Sequence, residues 1–183
     1  MRNAFLTTLG VAAALLTIAV VAAMVVAPGW TGPATADNDD DHGGPEFRAR
    51  LRGSQEVPAV TTSTRGEAQI KFNDAKTAAE FDLEVEDGIR VTQAHIHCAP
   101  AGVNGPIVVF LAGFHDKGWD VDGDWIGDAT FTDANITNTA CGSTLAQLAD
   151  AMAQGQAYAN VHTVANAGGE VRGQLEREDE DDD

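Results

Sequence analysis

Three stretches of this chain alternate apolar and polar residues with a period of two. Phe47, Ala49 and Leu51 interleave with Arg48, Arg50 and Arg52. Ala68, Ile70 and Phe72 interleave with Glu67, Gln69 and Lys71, and Phe81, Leu83 and Val85 with Asp82, Glu84 and Glu86. Successive side chains of a strand leave opposite faces, so each stretch predicts a strand with one face on a core and one in water. Asp87-Gly88 is a turn signal that ends the third, and Ala94, Ile96 and Cys98 resume the alternation.

The remaining elements follow the same logic. Ile107 to Leu111 is a continuous apolar run, which predicts burial on both faces, and Trp125 to Phe131 is a weaker strand. Ala157 to Thr163 and Glu170 to Glu176 are joined by Asn166 and Gly168-Gly169, which is hairpin chemistry. One helix stands out: Ser143 or Thr144 can cap it, Leu145, Leu148, Ala149 and Met152 recur at helical spacing, and Gly155 fits its end. The fold class is therefore all-β, an antiparallel β-sandwich or Greek-key-like barrel of about seven or eight strands with one short inserted helix over an open end.

The chain's ends carry different information. Arg2 precedes an uncharged apolar run from Phe5 to Ala27; Pro28, Gly29 and Pro33 break it, and Ala34-Thr35-Ala36 is a small-x-small cleavage site. Residues 1–36 thus predict a signal peptide; the run is also long enough to span a bilayer, so an uncleaved N-terminal anchor is the alternative. Either way the remainder is expected outside the cytoplasm: secreted, periplasmic or at the cell surface. Residues 37–46 form an acidic linker and 177–183 an acidic tail, both expected to be disordered, around a β domain at 47–176. The formal charge of −17 argues against nucleic-acid partners and against anionic lipid, leaving membrane contact to the N-terminal segment if it is retained. An extracellular protein or a cell-surface component is the partner class that remains.

Chemistry-bearing residues are few. His95 and His97 flank Ile96 and so leave one face of their strand; His162 stands opposite Val161 on a later one. Three imidazoles that converge suit zinc or copper, with Glu170 as a fourth ligand or as a group orienting an imidazole. The competing reading is a structural hydrogen-bond network in which Glu170 pairs with Arg172. Cys98 and Cys141 are an even pair in an exported chain and predict a disulfide; the alternative makes Cys98 a metal ligand, although alternation puts it on the Ile96 face.

Asp120, Asp122 and Asp124, with Asp128 beyond, place carboxylates at alternating positions as calcium loops do. The EF-hand pattern fails, because Trp125 stands where glycine is needed and Phe131 where glutamate is. An acidic surface turn is the other reading. Gln55-Glu56-Val57-Pro58 reads as a loop bonded across the fold. No serine-nucleophile motif, phosphate loop or dinucleotide fingerprint is present, and nothing selects a carboxylate pair, so the expectation is a binding or structural module rather than an enzyme.

These segments together resemble the CHRD domain, the module named after chordin. The resemblance lies in Leu51-Arg52-Gly53-Ser54-Gln55-Glu56-Val57-Pro58, Gly66, Ala94-His95-Ile96-His97, Gly105-Pro106-Ile107-Val108-Val109, Tyr158-Ala159-Asn160-Val161-His162-Thr163 and Gly168-Gly169-Glu170-Val171-Arg172-Gly173-Gln174-Leu175. It implies an exported β-sandwich-like domain and says little about chemistry. Cys98 stands where the family usually has glycine, which supports a disulfide particular to a subgroup. A His-x-His strand with a later histidine is also similar to copper-zinc superoxide dismutase, but the full bimetal ligand set of that enzyme is not found, since His42 and His115 lack convincing partners.

Overall fold

The computed structural model describes residues 43–178; the N-terminal segment, most of the acidic linker with His42, and the end of the acidic tail lie outside them. The strands are β1 (Glu46–Arg52), β2 (Arg65–Phe72), β3 (Ala78–Cys98), β4 (Ile107–Ala112), β5 (Trp119–Thr132), β6 (Ala157–Thr163), β7 (Val171–Gln174) and β8 (Glu176–Arg177). All pairings are antiparallel. The order β2-β1-β7-β6-β3 closes on itself through β2–β3, giving a five-stranded barrel, with β4 and β5 added along β3 and β8 on β1. The all-β prediction therefore resolves to a barrel rather than an open sandwich. Closure leaves the barrel strands no free edge.

The alternating residues do what their period predicts. Phe47, Ala49, Leu51, Ala68, Ile70, Phe72, Leu83 and Val85 are buried together with Ala94, Ile96, Ala159, Val161 and Val171. Phe72 meets Phe47 and Phe131 edge-on, at centroid distances of 5.8 and 6.4 Å, an arrangement that matches the ring quadrupoles. A helix, α1 (Leu145–Ala153), adds Leu145, Leu148, Ala149 and Met152 to this core, capped by the Thr144 hydroxyl accepting from the Gln147 N–H. The disulfide Cys98–Cys141 joins the end of β3 to the short turn that leads into α1.

One expectation is corrected. Asp87-Gly88 does not separate two strands; β3 runs through it as a single bent strand. Asp87 and Arg90 take left-handed backbone angles, φ 53° and 52°, and the register with β5 shifts around them. These are bulges, which bend a strand and leave backbone groups unpaired. Carboxylates of β5 fill the gaps: Asp122 accepts from the Asp87 N–H (3.2 Å) and Asp120 from the Arg90 N–H (3.0 Å). The bend lets β3 pair with β2 and β5 along its first half and with β6 and β4 along its second.

Candidate metal centre

Alternation on β3, β6 and β7 sorts the side chains into two layers. Ala94, Ile96, Ala159, Val161 and Val171 face the core; His95, His97, Tyr158, Asn160, His162 and Arg172 take the opposite face. The register sets His95 across from Asn160, His97 across from Tyr158, and Asn160 across from Arg172. His162 lies one rung diagonally from His95, within reach of a ring. This outer face is not wet: the relative exposures are 0% for His95, 8% for His97, 5% for His162 and 2% for Arg172. The loop 99–106 reaches over it, and Phe110 of β4 meets the His95 ring edge-on at 4.7 Å.

The backbone fixes the tautomers. His97 Nδ1–H donates to the Gly105 carbonyl at 2.9 Å, and His162 Nδ1–H donates to the Ala167 carbonyl at 3.0 Å. Each Nε2 is then a lone pair directed inward. Gly105 can approach this closely only because it lacks a side chain, since a Cβ there would run into the Cys98 backbone. His95 Nδ1 lies 2.9 Å from His162 Nε2, so its N–H donates to that lone pair in the neutral state. His95 Nε2 and His97 Nε2 remain buried with no partner at hydrogen-bond distance, although the Asn160 side chain bears on His97 closely enough to favour its charged form. Such atoms are uncommon in folded proteins because an unpaired buried polar atom is destabilising.

Asn160 adds to the mismatch. Its Oδ1 sits 3.1 Å from His162 Nε2, an acceptor facing an acceptor. An amide turned to offer its N–H, or a cation between the two, resolves the contact.

The three imidazoles form a group whose ligand atoms all lie within 4.8 Å of one another. Ring centroids are 4.8 Å apart for His95–His162, 5.6 Å for His95–His97 and 6.3 Å for His97–His162. Three nitrogens spread evenly about one ion lie about 3.6 Å apart at the usual Zn–N length, so the widest gap in the group closes by about 1 Å on binding. Burial, first, and the neighbouring rings lower the pKa of His95 to about 3. Burial likewise lowers His97 and His162; the backbone carbonyls and, for His97, the Asn160 side chain favour the charged forms, while the Arg172 charge adds to the lowering of His97. Neutral imidazoles are the form that binds a metal.

Glu170 is not part of this group. It stands just before β7, at the hairpin end, and its carboxylate accepts from the Thr163 hydroxyl (2.7 Å) and the Asn166 amide (2.5 Å). Burial raises its pKa, but hydrogen bonds from Thr62, Asn166, Thr163 and Thr64 outweigh that and leave it below the ordinary value. Backbone carbonyls, not Glu170, orient the imidazoles. Arg172 does not turn to Glu170 either: it donates to Asn104 Oδ1 (2.9 Å) and the Val103 carbonyl (3.2 Å) and stacks over Tyr158 at 4.0 Å.

The aspartates expected to form a loop lie within β5, on a continuous strand. Asp120 and Asp122 are bonded to β3 as described, and the Asp128 N–H donates to Asp82 at 2.9 Å. Asp120 and Asp122 thus stitch the bulges of β3, while Asp124 and Asp128 line a surface cleft with Asp82 and Glu84. His115 stacks on Trp119 at 4.0 Å, away from the three-histidine group. Cys98 is in the disulfide and offers no ligand atom.

Glu56 is a buried carboxylate that the alternation could not single out. Its neighbour Gln55 bonds the Arg50 carbonyl only five residues back, at 2.8 Å; the bond across the fold is the Asn104 amide donating to the Val57 carbonyl at 2.7 Å. Glu56 itself is buried with Oε1 unpartnered, close against Gly169. Burial drives its pKa up to about 7; Arg172 and the Val57 N–H oppose the rise and Glu170 adds to it. Gly169 has φ 138°, and a Cβ there would collide with the Glu56 carboxylate, so glycine is required on both counts.

Comparisons with curated proteins and with solved structures find no match. Against protein families, the CHRD domain model matches residues 47–175, a span that takes in the barrel, α1 and all three histidines. The match covers most of the chain, and the chain belongs to the CHRD domain family.

Proposed function

We propose that this chain is an exported, non-enzymatic module that acts by binding, at the cell surface or outside the cell, and that His95, His97 and His162 hold a copper or zinc ion. The observation that carries the metal reading is the pair of buried, unpartnered nitrogens, His95 Nε2 and His97 Nε2, beside His162 Nε2. A bound cation satisfies lone pairs that the protein leaves unused. Export is supported by the character of residues 1–36 and by the Cys98–Cys141 disulfide, since such bonds persist in oxidising compartments. The acidic charge favours an extracellular protein or cell-surface component as partner and disfavours nucleic acid; a membrane is met only through the N-terminal segment, if that is retained.

The test is elemental analysis of the dialysed protein, followed by titration with Cu(II) and Zn(II), with His95→Ala/His97→Ala as control. One tightly held equivalent, lost in the double variant, is expected. Binding that does not depend on these histidines reduces the triad to a structural network and moves the search to surface partners. A reproducible turnover that disappears in His162→Ala would overturn the non-enzymatic reading.

A further inference from the structure

We infer that the ion this site is built for is Cu(I), in preference to Zn(II) or Cu(II). The inference rests on the metal-binding reading above and goes further by assigning the ion's charge. The donor set is three neutral imidazoles with the Asn160 amide oxygen beside them and no carboxylate or thiolate. The one carboxylate that strand alternation would supply, Glu170, is consumed by Thr163 and Asn166.

Two aromatic rings flank the histidines: Phe110 edge-on at 4.7 Å from His95 and the Tyr158 face at 4.9 Å from His97. The fixed charge nearest the layer is positive, because Arg172 stacks on Tyr158, whose ring in turn stacks on His97. Burying a dication in such a place without an anion is strongly unfavourable, and a monovalent ion meets far less of that penalty.

Coordination number points the same way. Zinc takes four ligands, and three-histidine zinc sites keep an open fourth position for water. Cu(II) prefers tetragonal sites with nitrogen and oxygen donors. Here His95 is fully buried, His97 and His162 are nearly so, and the half-exposed Phe110 ring packs edge-on against His95. Once the His95 Nδ1–H bond to His162 Nε2 opens and frees that lone pair, three imidazoles without an added anion suffice for three-coordinate Cu(I).

The test is anaerobic titration of the purified, chelator-stripped chain with Cu(I) against bathocuproine disulfonate, and separately with Zn(II) and Cu(II) against chromophoric chelators. The expected result is one equivalent of Cu(I), held at least about a hundredfold more tightly than Zn(II) and lost in His97→Gln. X-ray absorption should show a three-coordinate Cu(I) edge with nitrogen neighbours. Asn160→Asp supplies a carboxylate where the amide now faces His162, and it should shift the preference toward Zn(II) by at least about tenfold.

Histidine-dependent binding of Zn(II) or Cu(II) as tight as that of Cu(I) overturns the inference while leaving a metal site. An unchanged preference in Asn160→Asp overturns its charge argument. No histidine-dependent binding of any of the three ions removes the metal reading itself.

Discussion

The ring of His97 lies 4.9 Å from that of Tyr158 and only 8° from parallel to it. Tyr158 is held in turn: the Arg172 guanidinium stacks 4.0 Å from its ring centroid, and its hydroxyl accepts the Gly105 N–H at 3.3 Å. The Gly105 carbonyl then takes the His97 Nδ1–H. Tyr158 therefore sets both the plane of His97 and the loop that fixes its tautomer. Partners of this kind orient metal ligands without touching the ion.

Tyr158→Ala should accordingly weaken metal affinity by about 10- to 100-fold, and Tyr158→Phe, which keeps the stack but loses the bond to Gly105, by less. Competition titration of the two variants measures this. Equal losses in both would show that the hydroxyl, not the stack, positions His97.

The disulfide closes a segment with a sequence separation of 43 residues. In the chain-entropy model a loop of that size stabilises by about 4 kcal/mol, through the unfolded state. Urea denaturation of Cys98→Ala/Cys141→Ala should show a loss of that order. A loss below about 1 kcal/mol would mean that α1 and the end of β3 keep the loop closed without the bond.

The alternating strands were legible in the sequence because each has one face on the core. Residues at that period leave no other solution, and the three histidines could be placed together for the same reason. The bend in β3 was not legible. Asp87-Gly88 has the composition of a turn, and what keeps it in a strand are carboxylates of β5, 30 and 35 residues away. Glu170 was misplaced because strand alternation was extended one residue past the start of β7, into a hairpin end where Thr163 and Asn166 decide its direction. Tyr158 and Asn160 share a strand face with His162, so the sequence held their signal. The Gly105 and Ala167 carbonyls that fix the tautomers are backbone groups and leave no mark of side-chain type.

Acid should destabilise the metal-free protein through these histidines. Their folded pKa values lie below the unfolded value of 6.5, with His95 at about 3, chiefly through burial. A depressed folded pKa gives stability that is present above the unfolded pKa and is lost as pH falls through 6.5 toward the folded value. The melting temperature of chelator-treated protein should therefore drop between pH 7 and pH 5 more steeply in wild type than in His95→Gln. Parallel profiles would show that His95 is as easily protonated in the fold as in the unfolded chain.

Glu56 should act in the opposite direction. Burial raises its folded pKa from 4.5 to about 7, with Glu170 adding to the rise and Arg172 opposing it. The folded state then binds more protons than the unfolded state between those values. Stability from this group is present below about pH 4.5 and is lost as pH rises through 7. Glu56→Gln removes the titration and keeps the shape, with a neutral amide against Gly169. The variant should match wild type near pH 4.5 and melt higher than wild type at pH 8, so that the difference between the two curves grows across the window. Because the histidines are common to both proteins, their acid sensitivity cancels in that difference. A constant difference from pH 4.5 to pH 8 would show that the Glu56 carboxylate is charged throughout, held so by Arg172 despite its burial.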